Sequence, residues 1–401
     1  MSPFIPADPA EVAAAVTLAA ASKTPLLVTG LGSKAALGRP AKALRRLDLS
    51  ALSGVSFYEP EELVFTALAA TPIEMIDALL AENNQELAFE PMSFAALYGT
   101  GAGTIGGCLM TNLSGPRRIK AGSARDHILG LKAVSGRGEA FKAGGKVVKN
   151  VTGYDLSRGL AGSFGTLAIA TELTFKVSPR AETVTTLVLP GLEPAAGVGA
   201  LCAAMGAPVD VSGAAHLPPF AASCQGFATS ITALRLEGIA PSIEERFERL
   251  ALRLKPFGGA ERLGPEASQR LWRAIRDVAP LAEPHDAIIW KISVAPTAGP
   301  VVAAAIGKSH PGQFMFDWSG GLVWLALDPQ ASPDAGAATI RRAILENGGG
   351  HATLMRAQTE VRSRVPVFEP QEKALAALSR RLKAQFDPLA ILEPGRLAAD
   401  L

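Results

Sequence analysis

The sequence predicts an α+β protein built from two domains, and three observations carry that prediction. The chain has 401 residues, and at roughly 100–200 residues per domain that length supports two or three cores. Helix and strand signals alternate through the first third. Beyond about residue 181 the pattern becomes a βαβ-βαβ-like run, which predicts a split βαβ sheet with helices on one face. The expected organisation is a first domain over 1–180, a second over 181–370, and a C-terminal helix and tail over 371–401.

Each element has its own signal. Asp8 is placed to cap a helix running to Ser22, with Glu11 at capping-box spacing. Residues 25–29 read as a short buried strand ending at Gly30, and 44–52 and 63–70 read as two more. Thr71-Pro72 opens a helix through Ala81, with proline at its first turn. Residues 91–118 are rich in glycine and small polar residues and read as a long loop tract. The segment from Asp126 to Asn150 has a Ser-Gly-Arg-Gly turn between two strand patterns, a hairpin signature. Residues 166–177 close the first domain as a strand. In the second domain, strands are expected at 183–191, 231–238, 287–294, 322–328 and 351–357. Helices are expected at 198–205, 242–255, 300–306, 339–346 and 371–385, and no fixed-period repeat is visible.

Composition narrows the function. With 48% apolar and 19% charged residues the chain is not intrinsically disordered. A net charge of +2 argues against a dedicated nucleic-acid binder. Cys108, Cys202 and Cys224 form no CxxC pair, so neither a disulfide framework nor a zinc ribbon is expected. The N-terminus has no signal-peptide pattern, and the long uncharged run 211–234 contains His216, Pro218 and Pro219. A cytosolic protein is expected, with peripheral membrane association left open. The net charge conceals a segregation: residues 117–149 carry a balance of +7, against −5 before them and zero after.

Three glycine patterns compete as nucleotide sites. Gly30-Leu31-Gly32-Ser33-Lys34-Ala35 is formally GxGxxA, with Asp48 near the place of a Rossmann acid. A Rossmann turn must open a full helix, and Gly38 and Pro40 interrupt one here. Gly101 to Gly106 is a literal GxGxxG without a clear strand before it. What both segments offer is backbone, a nest of N–H groups suited to phosphate oxygens. Either alone reads as a tight turn; together they suggest one diphosphate held from two sides. GGKVVKN at 144–150 lacks the features of a P-loop. Ser163, in a near-match to the nucleophile elbow, is followed by a strand and not a helix, so it reads as a turn residue. The five histidines have no metal-ligand spacing, and Cys108 reads as a packing residue.

Taken together, VTGLGSK, GTGAGTIGGCLMTNLSGPRRIKAGSARDHILGLKAV, KNVTGYDLSRGLAGSFGTLAIATELTFKVSPR and the terminal FDPLAILEPGRL resemble the FAD-linked oxidases of the vanillyl-alcohol-oxidase/PCMH type. The similarity covers residues 25–180 and the tail, with the middle matching in outline. The resemblance implies a two-subdomain PCMH-type FAD-binding fold, a ferredoxin-like α/β cap domain, and a tail that returns to the FAD domain. It implies FAD as cofactor, with Thr29, Gly30, Leu31, Gly32, Ser33 and Lys34 in a first pyrophosphate loop. Gly101, Thr104, Ile105, Gly106 and Gly107 fall in the second loop, with Thr111, Asn112, Ser114 and Gly115 continuing beside the flavin. Gly165, Thr166 and Ile169 fall on the strand at the adenine and ribose side, and Lys149, Asn150 and Tyr154 near the isoalloxazine. Arg117 and Arg118 are expected to help place the anionic cofactor or substrate.

Glu393-Pro394-Gly395 stands where many members of the family have Asn-Pro-Gly, and Cys108 where many have Asn. Members that oxidise 2-hydroxy acids supply a histidine cluster that this chain lacks. The implied function is therefore the FAD-binding subunit of a multi-subunit glycolate oxidase. Its expected partners are a catalytic flavoprotein subunit and an iron–sulfur subunit. The alternatives are a self-sufficient FAD-dependent 2-hydroxy-acid dehydrogenase and a non-catalytic assembly subunit.

Overall fold

The computed structural model describes residues 3–42, 45–147 and 153–400. They divide into two compact units. One comprises residues 1–114, 122–180 and 370–401, and the other 115–121 and 181–369.

The first unit contains two main sheets and a short two-residue pairing of Gln85–Glu86 with Ser178–Pro179. In the smaller, Leu26–Thr29 runs parallel to Arg45–Asp48, with Phe4 bridging to Leu47 and Leu392 of the tail bridging to Leu26. The helix Pro9–Ala21 covers it, burying Val12, Val16 and Ala19 against Leu26, Leu47 and Leu392. Asp8 caps that helix as expected, accepting from Ala10 N and Glu11 N. The Glu11 carboxylate reaches Ala7 N at 2.7 Å, one residue before the cap. The larger sheet is antiparallel, in the order Val55–Glu59, Val64–Leu68, Ala168–Lys176, Ile128–Ser135, Ala140–Gly144. Its core is aromatic, with Phe175 in ring contact with Phe65 at 6.0 Å and Phe89 at 5.7 Å. The tract read as loop does contain a helix, Ile105–Thr111, with one further turn at Ala95–Tyr98.

The second unit is an eight-stranded antiparallel sheet. Its first half runs strand Thr183–Pro190, helix Pro194–Met205, strands Gly213–Leu217 and Ile231–Gly238, helix Ala240–Leu254, strand Glu261–Leu263. The second half repeats that βαββαβ order with Ile288–Ser293, Gly299–Gly307, Gly312–Asp317, Leu322–Leu327, Ala337–Glu346 and His351–Arg356. Within each half the strands lie in the order 4-1-3-2, the ferredoxin-like arrangement, and the halves join where His216 pairs with Phe316. Three strands, Gly213–Leu217, Glu261–Leu263 and Gly312–Asp317, and the helices Pro219–Ser223, Pro265–Arg276 and Thr359–Arg364 have no counterpart among the expected elements.

The basic stretch at 117–149 is divided between the units. Arg117 donates to Glu237 at 3.0 and 2.5 Å, Lys120 pairs with Asp210, and Ile119 packs with the first half's core. Burial alone would raise the Glu237 carboxyl, but Arg235 and then Arg117 hold it down at about 2.

Candidate functional site

The site grows out of the end of the first buried strand. After Thr29 the chain turns through Gly32, whose φ of +73° is a left-handed conformation that glycine adopts freely. Ala35 N bonds to Gly32 O and Leu37 N to Lys34 O, so short turns follow and no helix begins. This disposes of a Rossmann turn, as the sequence indicated. The N–H groups of Leu31, Gly32, Ser33 and Lys34 have no hydrogen-bond partner among the described residues. Four successive free donors on a glycine-bearing turn form an anion nest. The Lys34 ammonium lies alongside, donating to Ala102 O at 3.1 Å and Ser33 Oγ at 3.3 Å, with the Phe94 ring centroid at 4.8 Å. Burial lowers its pKa, opposed by Cys108 and Glu74.

The second glycine loop packs against the first. Thr100 Oγ1 donates to Ser33 O at 2.9 Å, and a Cβ on Gly103 would meet the Ser33 hydroxyl and the Lys34 ammonium. Part of its backbone is already engaged, including three donors at the start of the helix that follows. Ile105 N bonds to Thr71 O, Gly106 N to Ala69 O, and Gly107 N to the capping hydroxyl of Thr104. The second loop therefore supplies a close-packed wall, and the N–H groups of Gly101, Gly103 and Thr104 have no hydrogen-bond partner among the described residues. Gly106 is required by that packing, since a Cβ there would strike the Ala69 carbonyl.

Two further segments complete the wall. Phe164 and Gly165 both have positive φ, and Phe164 N bonds to Met110 O at 2.9 Å. The tail brings Glu393 and Arg396, with Glu393 Oε1 accepting from Val28 N at 2.6 Å and Oε2 at 3.5 Å from Arg396 Nε. The resulting cleft measures about 580 Å³ and includes Thr29, Gly30, Gly32, Ser33, Lys34, Thr104, Gly107 and Thr111. An adjoining slot of about 500 Å³ shares Gly30, Thr104 and Gly107 with it. It adds Gly106, Gly165 and Ile169 among the apolar side chains of Leu49, Ala69, Ala70 and Ala168. A nest with an ammonium beside a narrow apolar slot fits a diphosphate joined to a flat ring system, the chemistry of a dinucleotide.

The other expected site residues lie elsewhere. Ile105 is buried in the core, Leu31 and Gly101 are exposed, and Asn112 caps the helix and accepts from Arg125 N. Ser114 is buried with no partner for its hydroxyl among the described residues. Thr166 is buried behind the cleft, bonded to Ser163 O and to Lys383. Tyr154 is 91% exposed. Gly115, Arg117 and Arg118 belong to the second unit, where Glu237 already takes the Arg117 charge. Lys149 and Asn150 lie outside the described residues. Val28, Met110, Phe164 and Arg396 are cleft residues that sequence reasoning did not select. Their signal was the glycines and tail beside them, not their own chemistry.

The groups set aside as structural remain so. Cys108 packs in the core and burial raises its thiol to about 11, against Lys34. Ser163 sits in a turn with its hydroxyl on Met110. Burial drops His216 to about 4, and it bonds Thr232 at 2.9 Å. Among the described residues no cluster of three His, Cys, Asp or Glu could hold a metal, and no helix is long and apolar enough to cross a membrane.

Comparison with known proteins agrees with the cleft. Residues 4–144 match the model of a FAD binding domain. The chain is 33% identical to glycolate oxidase subunit GlcE of Escherichia coli over 96% of both chains. It is 30% identical to glycolate oxidase subunit GlcD of Bacillus subtilis over 46% of this chain and 38% of that one. Among solved structures, p-cresol methylhydroxylase superposes with a TM-score of 0.76 at 14% identity, covering 99% of this chain and 88% of that one. The 4-ethylphenol oxidase of Gulosibacter chungangensis gives 0.74 at 13%, covering 99% and 89%. The expected PCMH-type α+β fold is therefore the observed one, and the chain belongs to the family of FAD-linked oxidoreductases that includes glycolate oxidase subunit GlcE.

Proposed function

We propose that this chain is the FAD-binding subunit of a multi-subunit glycolate oxidase, in which glycolate becomes glyoxylate and the electrons pass through flavin to partner subunits. The observation that carries the reading is the cleft of free donors, in a chain that matches a glycolate oxidase subunit along its whole length. The flavin, when bound, supplies the electron-accepting chemistry. The protein's part is to bind and orient it. The N–H groups of residues 31–34 and the Lys34 ammonium would face the diphosphate, and Ala69, Ala70 and Ile169 would line the apolar slot. The general base for the substrate hydroxyl is assigned to the partner flavoprotein, since no cluster of three His, Cys, Asp or Glu forms among the described residues.

The C-terminal helix Lys373–Phe386 supports a partner of that kind. It exposes Leu375, Leu378 and Leu382 at 52%, 56% and 43%, spaced i, i+3, i+7 along one stripe. Leu378→Glu is expected to leave FAD content intact while the GlcD-type flavoprotein subunit no longer co-purifies. Retained co-purification would remove the helix from the interface.

Two measurements test the cofactor reading. The chain purified alone is expected to show a flavin spectrum that glycolate bleaches slowly, and rapidly once the partner subunits are added. Rapid bleaching by the chain alone would instead establish a self-sufficient 2-hydroxy-acid dehydrogenase. An apo-chain that still assembles would establish an assembly subunit. Lys34→Met removes an ammonium from the cleft wall and is expected to weaken FAD binding by about 10- to 100-fold, the size of a lost charge-assisted hydrogen bond. Flavin fluorescence quenching reads this directly.

A further inference from the structure

The second unit carries a cationic cluster that the cofactor cleft does not explain. Arg117 and Arg118 are neighbours with opposite fates. Arg117 is neutralised by Glu237, whereas the Arg118 guanidinium forms no ion pair or hydrogen bond among the described residues and lies over the Trp318 ring, 4.8 Å from its centroid. The Lys291 ammonium sits 5.0 Å from the same centroid, half-buried, and likewise has no ion pair or hydrogen bond among the described residues. Lys291 is on the strand Ile288–Ser293. His351 opens the neighbouring strand, opposite Ser293.

Trp318 is fixed in place. Its indole N–H donates to Gly115 O at 3.2 Å, its backbone N–H to Asp317 at 2.7 Å, and Trp318 and Ser319 both hold left-handed backbone conformations. The ring thus serves as a rigid platform within 5.0 Å of both cations. Burial and the Arg118 charge together pull the Lys291 ammonium down to about 8. Burial and then Lys291 depress His351, with Glu369 acting the other way. That carboxylate is otherwise engaged, accepting from Ala352 N at 2.9 Å and lying 3.6 Å from Arg341. The undescribed positions contain no Asp or Glu side chain.

Converging like charges without a counter-ion are unfavourable, and a bound anion relieves them. We propose that Arg118, Lys291 and Trp318 form an anion site of the second unit that takes a small organic carboxylate. The planar guanidinium matches a carboxylate's two oxygens, and the rigid indole bounds the space beside it. The choice of carboxylate over other anions rests on the glycolate oxidase reading. The site itself does not depend on bound FAD.

The test uses the full chain at pH 7, with oxalate as an unreactive probe and acetamide as a neutral control. Calorimetry is expected to show one oxalate per chain and no acetamide binding. Lys291→Met and Arg118→Gln should each weaken oxalate at least tenfold, and Lys291→Arg should retain it. Without oxalate, Lys291→Met should melt at or above the parent temperature, because it relieves repulsion. A purely structural Lys–Trp contact would make it melt lower. No oxalate binding by the parent chain, equal binding of acetamide, undiminished binding in both variants, or a lower melting temperature for Lys291→Met would each overturn the site. Flavin absorbance of the same samples keeps the two readings apart. An apo-chain that binds oxalate leaves the site standing without the cofactor, and a holo-chain that does not bind it leaves the cofactor standing without the site.

Discussion

Asp387→Ala is expected to cost about 3–5 kcal/mol of stability and to release FAD, because it leaves a buried ammonium without its counter-ion. Lys383 is the buried residue of the C-terminal helix, and Asp387, one turn later, is 1% exposed. The ammonium donates to Asp387 at 2.7 Å, Thr166 O at 2.6 Å and Leu392 O at 2.8 Å. The carboxylate in turn accepts from Ile391 N at 3.1 Å and Leu392 N at 2.8 Å. These bonds hold the tail where Leu26 N reaches Ile391 O and Glu393 N reaches Leu26 O. The pair therefore fixes Glu393 and Arg396 in the cleft wall, and losing it should disorder the site as well as the tail. Urea melts and flavin retention after gel filtration measure the two effects. The double variant Lys383→Met/Asp387→Leu removes both charges and should recover more than half of the lost stability. A double variant as unstable as Asp387→Ala would show that the cost lies in lost hydrogen bonds to the tail and not in an uncompensated charge.

The sequence was most legible where the determining interactions are local. Asp8, three residues before Glu11, marked a helix start, and the first glycine loop showed by Gly38 and Pro40 that no Rossmann helix follows. The second loop was read as a nest of backbone donors. Two of its N–H groups, Ile105 and Gly106, are taken by Thr71 and Ala69, more than thirty residues earlier, which no local pattern reports. The strand Gly213–Leu217 was missed because small residues replace the usual β-formers. Gly213 has no room for a Cβ beside Trp272, so tertiary packing sets its composition. The doubled βαββαβ order escaped notice because it is a repeat of topology without a repeat of residues. The run of positive charge looked uniform, yet Glu237, far along the chain, neutralises Arg117, while Arg118 has no carboxylate partner among the described residues and lies over Trp318. What decides a charge's role is the partner it meets after folding.

Glu393→Gln is expected to stabilise the protein above neutral pH and to tighten its hold on FAD there. Burial raises the Glu393 carboxyl to about 7, against the opposing pull of Arg396, the Val28 N–H and Lys383. Between the unfolded value near 4.5 and the folded value near 7, the folded chain keeps a proton that the unfolded chain has lost. Stability therefore falls as pH rises through that window, by at most about 1.4 kcal/mol per pH unit, and levels off above it. Glutamine keeps the bond from Val28 N and carries no charge to bury. The two proteins should melt alike near pH 5 and diverge towards pH 8, with Glu393→Gln ahead by up to roughly 3 kcal/mol. The same carboxylate lines the cleft that would hold the diphosphate. Once ionised it repels that anion, and the diphosphate in turn favours its protonated form. FAD affinity of the parent chain should thus drop between pH 6 and 8, while that of Glu393→Gln should change little, a difference of about tenfold at pH 8. Fluorescence titrations at the two pH values decide the matter. If Glu393→Gln instead loosens FAD equally at both, Glu393 serves as a hydrogen-bonding strut for the first strand, and its charge plays no part in binding.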